Sequence, residues 1–154
     1  MSDGPVRAVV DASVGAKLFI AEDLSDEAHD LFAHLAADPP GQLFVPDLFY
    51  IECANILWKQ VRRLGYPAEK AKQDLEALGG LSLHSLATRD LMAEAFALAV
   101  EHAITAYDAC YVALAERLGM PLVTADEKLA RALADSDFDA RWLGAFPIPP
   151  LPTE

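Results

Sequence analysis

Two aspartates follow short apolar runs of the chain. Asp11 comes directly after residues 6–10, and Asp126 comes two positions after Leu122–Thr124. An acid at such a place must be solvated, paired or bound to a metal, because an isolated buried charge is costly. Each aspartate could equally be the N-cap of the helix that follows, a position that Asp favours. Taken singly, neither residue distinguishes a helix cap from a metal ligand.

Two further acids lie inside apolar, helix-like stretches. Glu52 lies in PDLFYIECANILW, and Asp108 lies in ITAYDACYVALAERLG. Glu52 could belong to an exposed helix face, and Asp108 could be a first-turn acid that the helix dipole favours. The apolar neighbours leave little room for a wholly polar face, however, and Asn55 is three positions from Glu52 on the same side of a helix. We interpret Glu52 and Asn55 as a polar notch in a buried helix.

Convergence of these four acids would require a counter-charge. Two like charges about 5 Å apart repel by roughly 3 kcal/mol at an effective dielectric constant of about 20, and no lysine or arginine stands regularly beside all four. Mg²⁺ and Mn²⁺ prefer carboxylate oxygen and water as ligands, so a hard divalent cation is the natural partner. Neither a nucleophile-elbow serine nor a glycine-rich phosphate loop occurs, so those two chemistries lack their motifs.

Alternating strands and helices would position the acids. This pattern predicts a parallel sheet with helices on both faces, and such sheets bind ligands beyond the carboxyl ends of their strands. Asp11 and Asp126 both fall at such ends. The predicted strands are residues 6–10, 43–45, 81–86, 122–124 and 140–143, and the predicted helices start near Asp11, Ser25, Asp47, Tyr66, Thr88, Thr105 and Asp126. Of these residues, Ser25, Asp47 and Thr88 are expected to cap their helices.

The 154 residues fit a single domain, residues 1–154, with its core at about 6–145 and a proline-rich tail at 146–154. Cys53 and Cys110 lie in apolar helical runs, which favours reduced core thiols over a disulfide. No apolar signal core and no run of about 20 apolar residues is evident. We therefore expect a cytoplasmic protein that makes no membrane contact.

Three segments resemble, in order, the successive blocks of PIN-domain nucleases, and specifically of the toxins of VapBC toxin–antitoxin pairs. They are VVDASVGAKLFIAED, VPDLFYIECANILWKQVRR and AYDACYVALAERLGMPLVTADEKLARAL. The resemblance covers about residues 6–145. It implies an α/β fold, a PIN-like three-layer sandwich with a central parallel sheet of four to five strands flanked by helices.

The resemblance also implies a metal-dependent endoribonuclease that uses Mg²⁺ or Mn²⁺. The acidic metal-binding positions of the family match Asp11, Glu52, Asp108 and Asp126, and its supporting polar positions match Ser13, Asn55 and Thr124. A homodimer is expected, and so is a VapB-like antitoxin that blocks the active site. The proposed chemistry is hydrolysis of an RNA phosphodiester, with one ion or two.

The formal net charge of −12 is unusual for a protein that binds nucleic acid. Local patches matter more than the total, because salt screens charges beyond roughly 8–10 Å. Lys59 and Arg63 lie seven and eleven positions after Glu52, so both return to nearly the same helix face. We hypothesise that they guide RNA phosphates towards the acids. A solvated helix end or a subunit interface would explain them equally well.

Two other functions are compatible with parts of this pattern. The first is a catalytically silent PIN fold that binds RNA or protein, against which stands the presence of all four acids. The second is a receiver-type or phosphoryl-transfer α/β protein, which also gathers acids at strand ends. Such proteins usually carry two adjacent acids after the first strand, whereas Asp11 is followed by Ala12 and Ser13.

Overall fold

The computed structural model describes residues 4–153. The strands are β1 (Arg7–Val10), β2 (Gln42–Pro46), β3 (His84–Leu86), β4 (Leu122–Thr124) and β5 (Ala140–Trp142). The helices are α1 (Ala12–Ala16), α2 (Ser25–Ala33), α3 (Leu48–Leu64), α4 (Ala68–Gly79), α5 (Met92–His102), α6 (Ala106–Leu118) and α7 (Glu127–Ala132). Short 3₁₀ turns follow α2 and β5 and precede α5.

The five strands form one parallel sheet in the order β3-β2-β1-β4-β5. The central strand β1 pairs Val9 with Phe44 of β2 on one side and Val10 with Val123 of β4 on the other. Side chains of β1, β2 and β4 form the middle of the hydrophobic core, as expected for strands covered on both faces. The predicted α/β fold with a parallel sheet is confirmed.

The connections of the sheet change direction at β1. The chain moves outward from β1 through β2 to β3, and then returns to β4 and β5 on the other side of β1. Because crossovers between parallel strands are right-handed, α1–α4 cover one face and α5–α7 cover the other. The chain therefore leaves the neighbouring strands β1 and β4 in opposite directions. Open α/β sheets bind ligands in the crevice at such a point.

Close packing of α1 against α3 brings two candidate site segments together. The buried residues Phe49, Cys53 and Leu57 recur every four positions along α3, the spacing of one helix face. A Cβ on Gly15 of α1 would lie only 2.6 Å from Cζ of Phe49. Glycine at position 15 therefore lets α1, which begins after Asp11, approach the helix that carries Glu52.

Three of the predicted helix caps are wrong, although α2 and α3 begin at or next to the predicted residues. The side chain of Ser25 caps no helix, because it accepts a hydrogen bond from the backbone N–H of Glu22 and donates one to the carbonyl of Ile20. Asp47 precedes α3 without capping it, and its Oδ1 accepts from both the N–H and the hydroxyl of Thr88. These polar side chains join loops to each other, a competing use that local sequence does not reveal.

Thr88 begins a 3₁₀ turn rather than α5, and its hydroxyl accepts from the N–H of Leu48. The third strand is also shorter than residues 81–86, since only His84–Leu86 pairs with β2. Two other predicted helix starts are confirmed. The hydroxyl of Thr105 accepts from the N–H of Asp108 at the start of α6, and the carboxylate of Asp126 caps α7.

Both cysteines are buried and free, which confirms the prediction of reduced core thiols. Within residues 4–153, no helix is both long enough and apolar enough to cross a membrane. The proline-rich segment 146–153 lies outside helices and strands. Its first residue, Phe146, ends the 3₁₀ turn Leu143–Ala145, because its backbone N–H donates to the carbonyl of Leu143. The segment lies against the end of α2, where Nε2 of His34 is 2.9 Å from the carbonyl oxygen of Pro149.

Candidate metal centre

Asp11 links the end of β1 to the start of α1. Its Oδ1 accepts hydrogen bonds from the backbone N–H groups of Ser13 and Val14, at 3.1 and 3.3 Å, and from the hydroxyl of Ser13 at 2.5 Å. The carboxylate is therefore a helix N-cap, as one interpretation of the sequence held. All three bonds go to Oδ1, so Oδ2 takes no part in the cap. Capping and metal binding are compatible for one carboxylate.

The hydroxyls of Ser13 and Thr124 link the ends of β1 and β4. The Ser13 hydroxyl accepts from the backbone N–H of Ala125 at 3.0 Å and lies 3.4 Å from the hydroxyl of Thr124. The Thr124 hydroxyl, which is fully buried, accepts from the N–H of Asp126 at 3.0 Å. These polar contacts fix the loop that carries Asp126 beside the loop that carries Asp11.

Asp108 and Asp126 belong to the other face of the sheet. Asp108 lies in the first turn of α6 and is half-buried. Asp126 is exposed, and its Oδ1 accepts from the N–H groups of Lys128 and Leu129 at 3.0 and 3.3 Å. Asp126 therefore resembles Asp11 in its local role, since each caps the helix that follows its strand.

Glu52 is half-buried on α3, and its partner was not predicted. The hydroxyl of Tyr111 on α6 donates to Oε1 of Glu52 at 2.6 Å. Asn55, which we expected to share a buried notch with Glu52, is exposed instead, and the two form no hydrogen bond within residues 4–153. The spacing of three puts Asp108 and Tyr111 on one side of a helix, but it does not show that Tyr111 reaches Glu52.

The electrostatics connect all four acids. The pKa of Asp11 is raised to about 6, chiefly by burial and in part by the charge of Asp108, against hydrogen bonds that lower it. Burial also raises the pKa of Glu52, with Asp108 again contributing. Burial raises the pKa of Asp108, and the nearby charge of Asp126 adds to this effect. Asp108 thus interacts with each of the other three carboxylates.

The described residues supply no cation to this group of acids. The ion pairs of Lys and Arg within residues 4–153 all involve other carboxylates. In the same range, no three acidic, histidine or cysteine side chains converge closely enough to enclose an ion. The donor set is all oxygen, which suits Mg²⁺ or Mn²⁺, and Mg²⁺ is commonly held by one or two carboxylates with water filling the remaining positions. The residues fit a largely hydrated ion rather than a closed cage.

Lys59 and Arg63, the candidate RNA contacts, are exposed on α3. Neither belongs to an ion pair among the described residues. By contrast, Lys70 and Lys72 of α4 pair with Asp74 and Glu69. The positive charge of α3 therefore remains available to a ligand.

Comparison with known proteins assigns the family. The sequence profile described as the PIN domain matches residues 8–133. The chain belongs to the PIN-domain family. Ribonuclease VapC3 of Pyrobaculum aerophilum is 40% identical to this PIN-domain chain over 129 residues, which cover 81% of this chain and 93% of the relative. The predicted relationship to the VapC group is confirmed.

Solved structures agree with this PIN-domain fold. The crystal structure of PAE2754 from Pyrobaculum aerophilum matches with a TM-score of 0.66 and 30% identity, covering 92% of this chain and 93% of that one. VapC20 of Mycobacterium tuberculosis, described as a toxin that cleaves the sarcin–ricin loop, has a TM-score of 0.61 and 18% identity, covering 81% and 94%. A toxin–antitoxin complex from Klebsiella pneumoniae gives 0.59 and 17%, covering 87% and 95%. The last two support the fold alone.

Proposed function

We propose that this protein is a metal-dependent endoribonuclease and the toxin of a type II toxin–antitoxin pair. The observation that supports the proposal is the charge interaction of Asp108 with Asp11, Glu52 and Asp126, near the point where the connections of the sheet change direction. No lysine or arginine of the described residues pairs with these acids. The VapC ribonuclease relative supplies the reaction class. The catalytically silent alternative is disfavoured because all four acids are present.

Mg²⁺ or Mn²⁺ would be held by Asp11 and Asp108, with Glu52 and Asp126 contacting it directly or through water. When bound, the cation stabilises negative charge on the phosphate and lowers the pKa of a coordinated water. The side chains of this protein hold the geometry. Asp11 is fixed by its cap contacts, and Ser13 and Thr124 keep the Asp126 loop against it.

RNA would reach the acids along α3. Lys59 and Arg63 are exposed and outside the ion pairs of the described residues, so they offer charge to phosphates without specifying sequence. A charge reversal of both residues should weaken RNA binding and reduce its salt dependence. Unchanged cleavage in that variant would exclude this role.

The expected homodimer has a suitable surface on α5. Met92, Phe96 and Val100 recur every four positions and are 65, 67 and 70% exposed. A Phe96→Glu variant should sediment as a monomer if this helix face forms the dimer.

The proposed partner is a VapB-like antitoxin in the cytoplasm, which would present a basic side chain to the acids. If the protein purified without any small partner protein, that result would argue against an antitoxin.

The decisive experiment measures cleavage of single-stranded RNA with Mn²⁺ and with EDTA. We expect cleavage by the wild type with Mn²⁺ alone, and its loss in Asp108→Asn. Asp137→Asn is the matched control, because Asp137 is exposed in the loop that precedes β5, at the opposite end of the sheet. Cleavage that survives Asp108→Asn would refute the proposed site, and a wild type that cleaves no RNA would favour the silent alternative.

A further inference from the structure

A buried tyrosine connects the core to the acids. Tyr111 is 1% exposed and is the largest of the fully buried side chains. Its hydroxyl donates to Oε1 of Glu52 at 2.6 Å, across a sequence separation of 59 residues. Within the described residues this is the one hydrogen bond of the hydroxyl. Burial raises the pKa of Tyr111, so the group remains a neutral donor.

We propose that Tyr111 is a positioning residue that fixes Glu52 as a ligand through a single oxygen. The bond to Tyr111 occupies Oε1 and leaves Oε2 for a cation or for the water around it. The inference rests on the proposed function, because it assumes that Glu52 takes part in metal binding. The inference adds Tyr111, which is not one of the four acids, to the proposed site. Its role is to orient Glu52, which neither the sequence motifs nor the acids themselves indicate.

Rigidity at both ends of the hydrogen bond supports this role. Tyr111 is buried in a stretch of α6 that is buried throughout, from Ala109 to Ala115, and this packing restricts the movement of its ring. The backbone of Glu52 is held by Phe49 and Cys53, whose side chains are buried against the core. Only the side-chain torsions of Glu52 remain free, and the hydroxyl restricts them. Partners that orient a metal ligand in this way commonly contribute 10–100-fold to metal affinity.

The position of Tyr111 also couples two of the acids. Asp108 and Tyr111 are three residues apart on α6, so the helix that supplies Asp108 also supplies the group that orients Glu52. Displacement of α6 would therefore disturb both carboxylates together. Asn55, on the same helix as Glu52, is exposed and cannot replace this contact.

The chain contains a matched control. The hydroxyl of Tyr66 also donates to a carboxylate, that of Asp74, but on the α3–α4 hairpin and away from the four acids. Tyr111→Phe and Tyr66→Phe thus each delete a hydroxyl that donates to a carboxylate, and the Tyr66 hydroxyl also accepts from Nζ of Lys70. We would measure Mn²⁺ binding to each purified full-length variant by the loss of the free-ion EPR signal.

We expect Tyr111→Phe to weaken Mn²⁺ binding by about tenfold and Tyr66→Phe to change it by less than about twofold. In the Tyr111→Phe/Glu52→Gln double variant, the loss should not exceed that of Glu52→Gln alone, because Tyr111 acts through Glu52. Unchanged Mn²⁺ affinity in Tyr111→Phe, even with a lower melting temperature, would refute the inference. So would additive losses in the double variant.

A measurement on the unmodified protein covers the case of a variant that does not fold. With tyrosine labelled at ¹³Cζ, Mg²⁺ should shift the NMR signal of Tyr111 and leave that of Tyr66 in place. A Tyr111 signal that does not respond while Mg²⁺ binds would contradict the inference. A wild type that binds neither Mg²⁺ nor Mn²⁺ would instead refute the metal site of the proposed function, and the inference with it.

Discussion

Two buried aspartates of this protein have opposite surroundings. Asp11, at the end of β1, is 4% exposed, and Asp74, in α4, is 8% exposed. Asp74 accepts a hydrogen bond from the hydroxyl of Tyr66 and lies 3.6 Å from Nζ of Lys70. The donors to Asp11 among the described residues are all neutral: the Ser13 and Thr124 hydroxyls and two backbone N–H groups.

The comparison separates a structural acid from a proposed metal ligand. A buried charge is tolerated when it is paired and hydrogen-bonded, and the α3–α4 hairpin meets this requirement for Asp74 with Lys70, four residues earlier on α4. The carboxyl end of the sheet supplies no such cation to Asp11 among the described residues. This lack of a counter-charge supports the proposal that Asp11 binds a metal cation.

The largest expected difference between the two aspartates is in RNA cleavage. Asp11→Asn should reduce the Mn²⁺-dependent rate by at least about 100-fold, because metal stabilisation of the transition state supplies several kcal/mol. Asp74→Asn should stay within about twofold of the wild type. Rates would be measured on one single-stranded RNA substrate at saturating Mn²⁺. Equal losses in both variants would show that burial, rather than metal binding, makes these residues necessary.

The second expected effect concerns the stability of the metal-free protein. Burial raises the pKa of Asp11 from 3.8 to about 6 in the folded state, so folding favours its protonated form. Stability should therefore fall as pH rises from about 4 to about 6 and then level off, since above pH 6 the folded protein must keep a buried charge. At pH 7.5 Asp11→Asn should be more stable than the wild type by at most about 3 kcal/mol.

Urea unfolding of the wild type and Asp11→Asn in EDTA, from pH 4 to pH 8, would measure this difference. Asparagine caps helices as well as aspartate does, so loss of the α1 cap should not mask the gain. With Mn²⁺ the order should reverse, because ligand binding stabilises only the variant that binds. A difference that does not change with pH would mean that Asp11 is not the group that titrates.

The sequence was sufficient to predict the parallel sheet and the places of Asp11 and Asp126. Both follow from short apolar strands that end in acids, together with the rule that ligands bind at the carboxyl ends of strands. The start of α6 near Thr105 was predicted from local pattern as well, because the signals that begin a helix involve only a few neighbouring residues. Asp47 and Thr88 were assigned wrongly, since they bond to each other across 41 residues.

The partner of Glu52 could not be predicted for a similar reason. Each residue of a helix turns by about 100°, so Asn55 lies roughly opposite Cys53, which faces the core. Glu52 lies only one such step from Cys53, at the edge of the buried face. Spacing alone could not identify which edge of the buried face of α3 is covered by α6. In addition, a tyrosine in an apolar helix such as α6 looks like any other core residue in the sequence. Tyr111 became identifiable only when α3 and α6 were placed together.

The smallest expected effect is on the structural aspartate. Asp74→Asn should lower the free energy of unfolding by about 1–2 kcal/mol, because a hydrogen bond to a charged group and the pairing with Lys70 are both weakened. Asparagine keeps an oxygen that can accept from Tyr66, which limits the loss, and Lys70 is exposed enough to be solvated. Urea unfolding with EDTA and with Mn²⁺ should give the same loss in both conditions, since Asp74 has its own cation. If Mn²⁺ altered the loss, the hairpin would be coupled to the metal site, and the distinction between the two aspartates would fail.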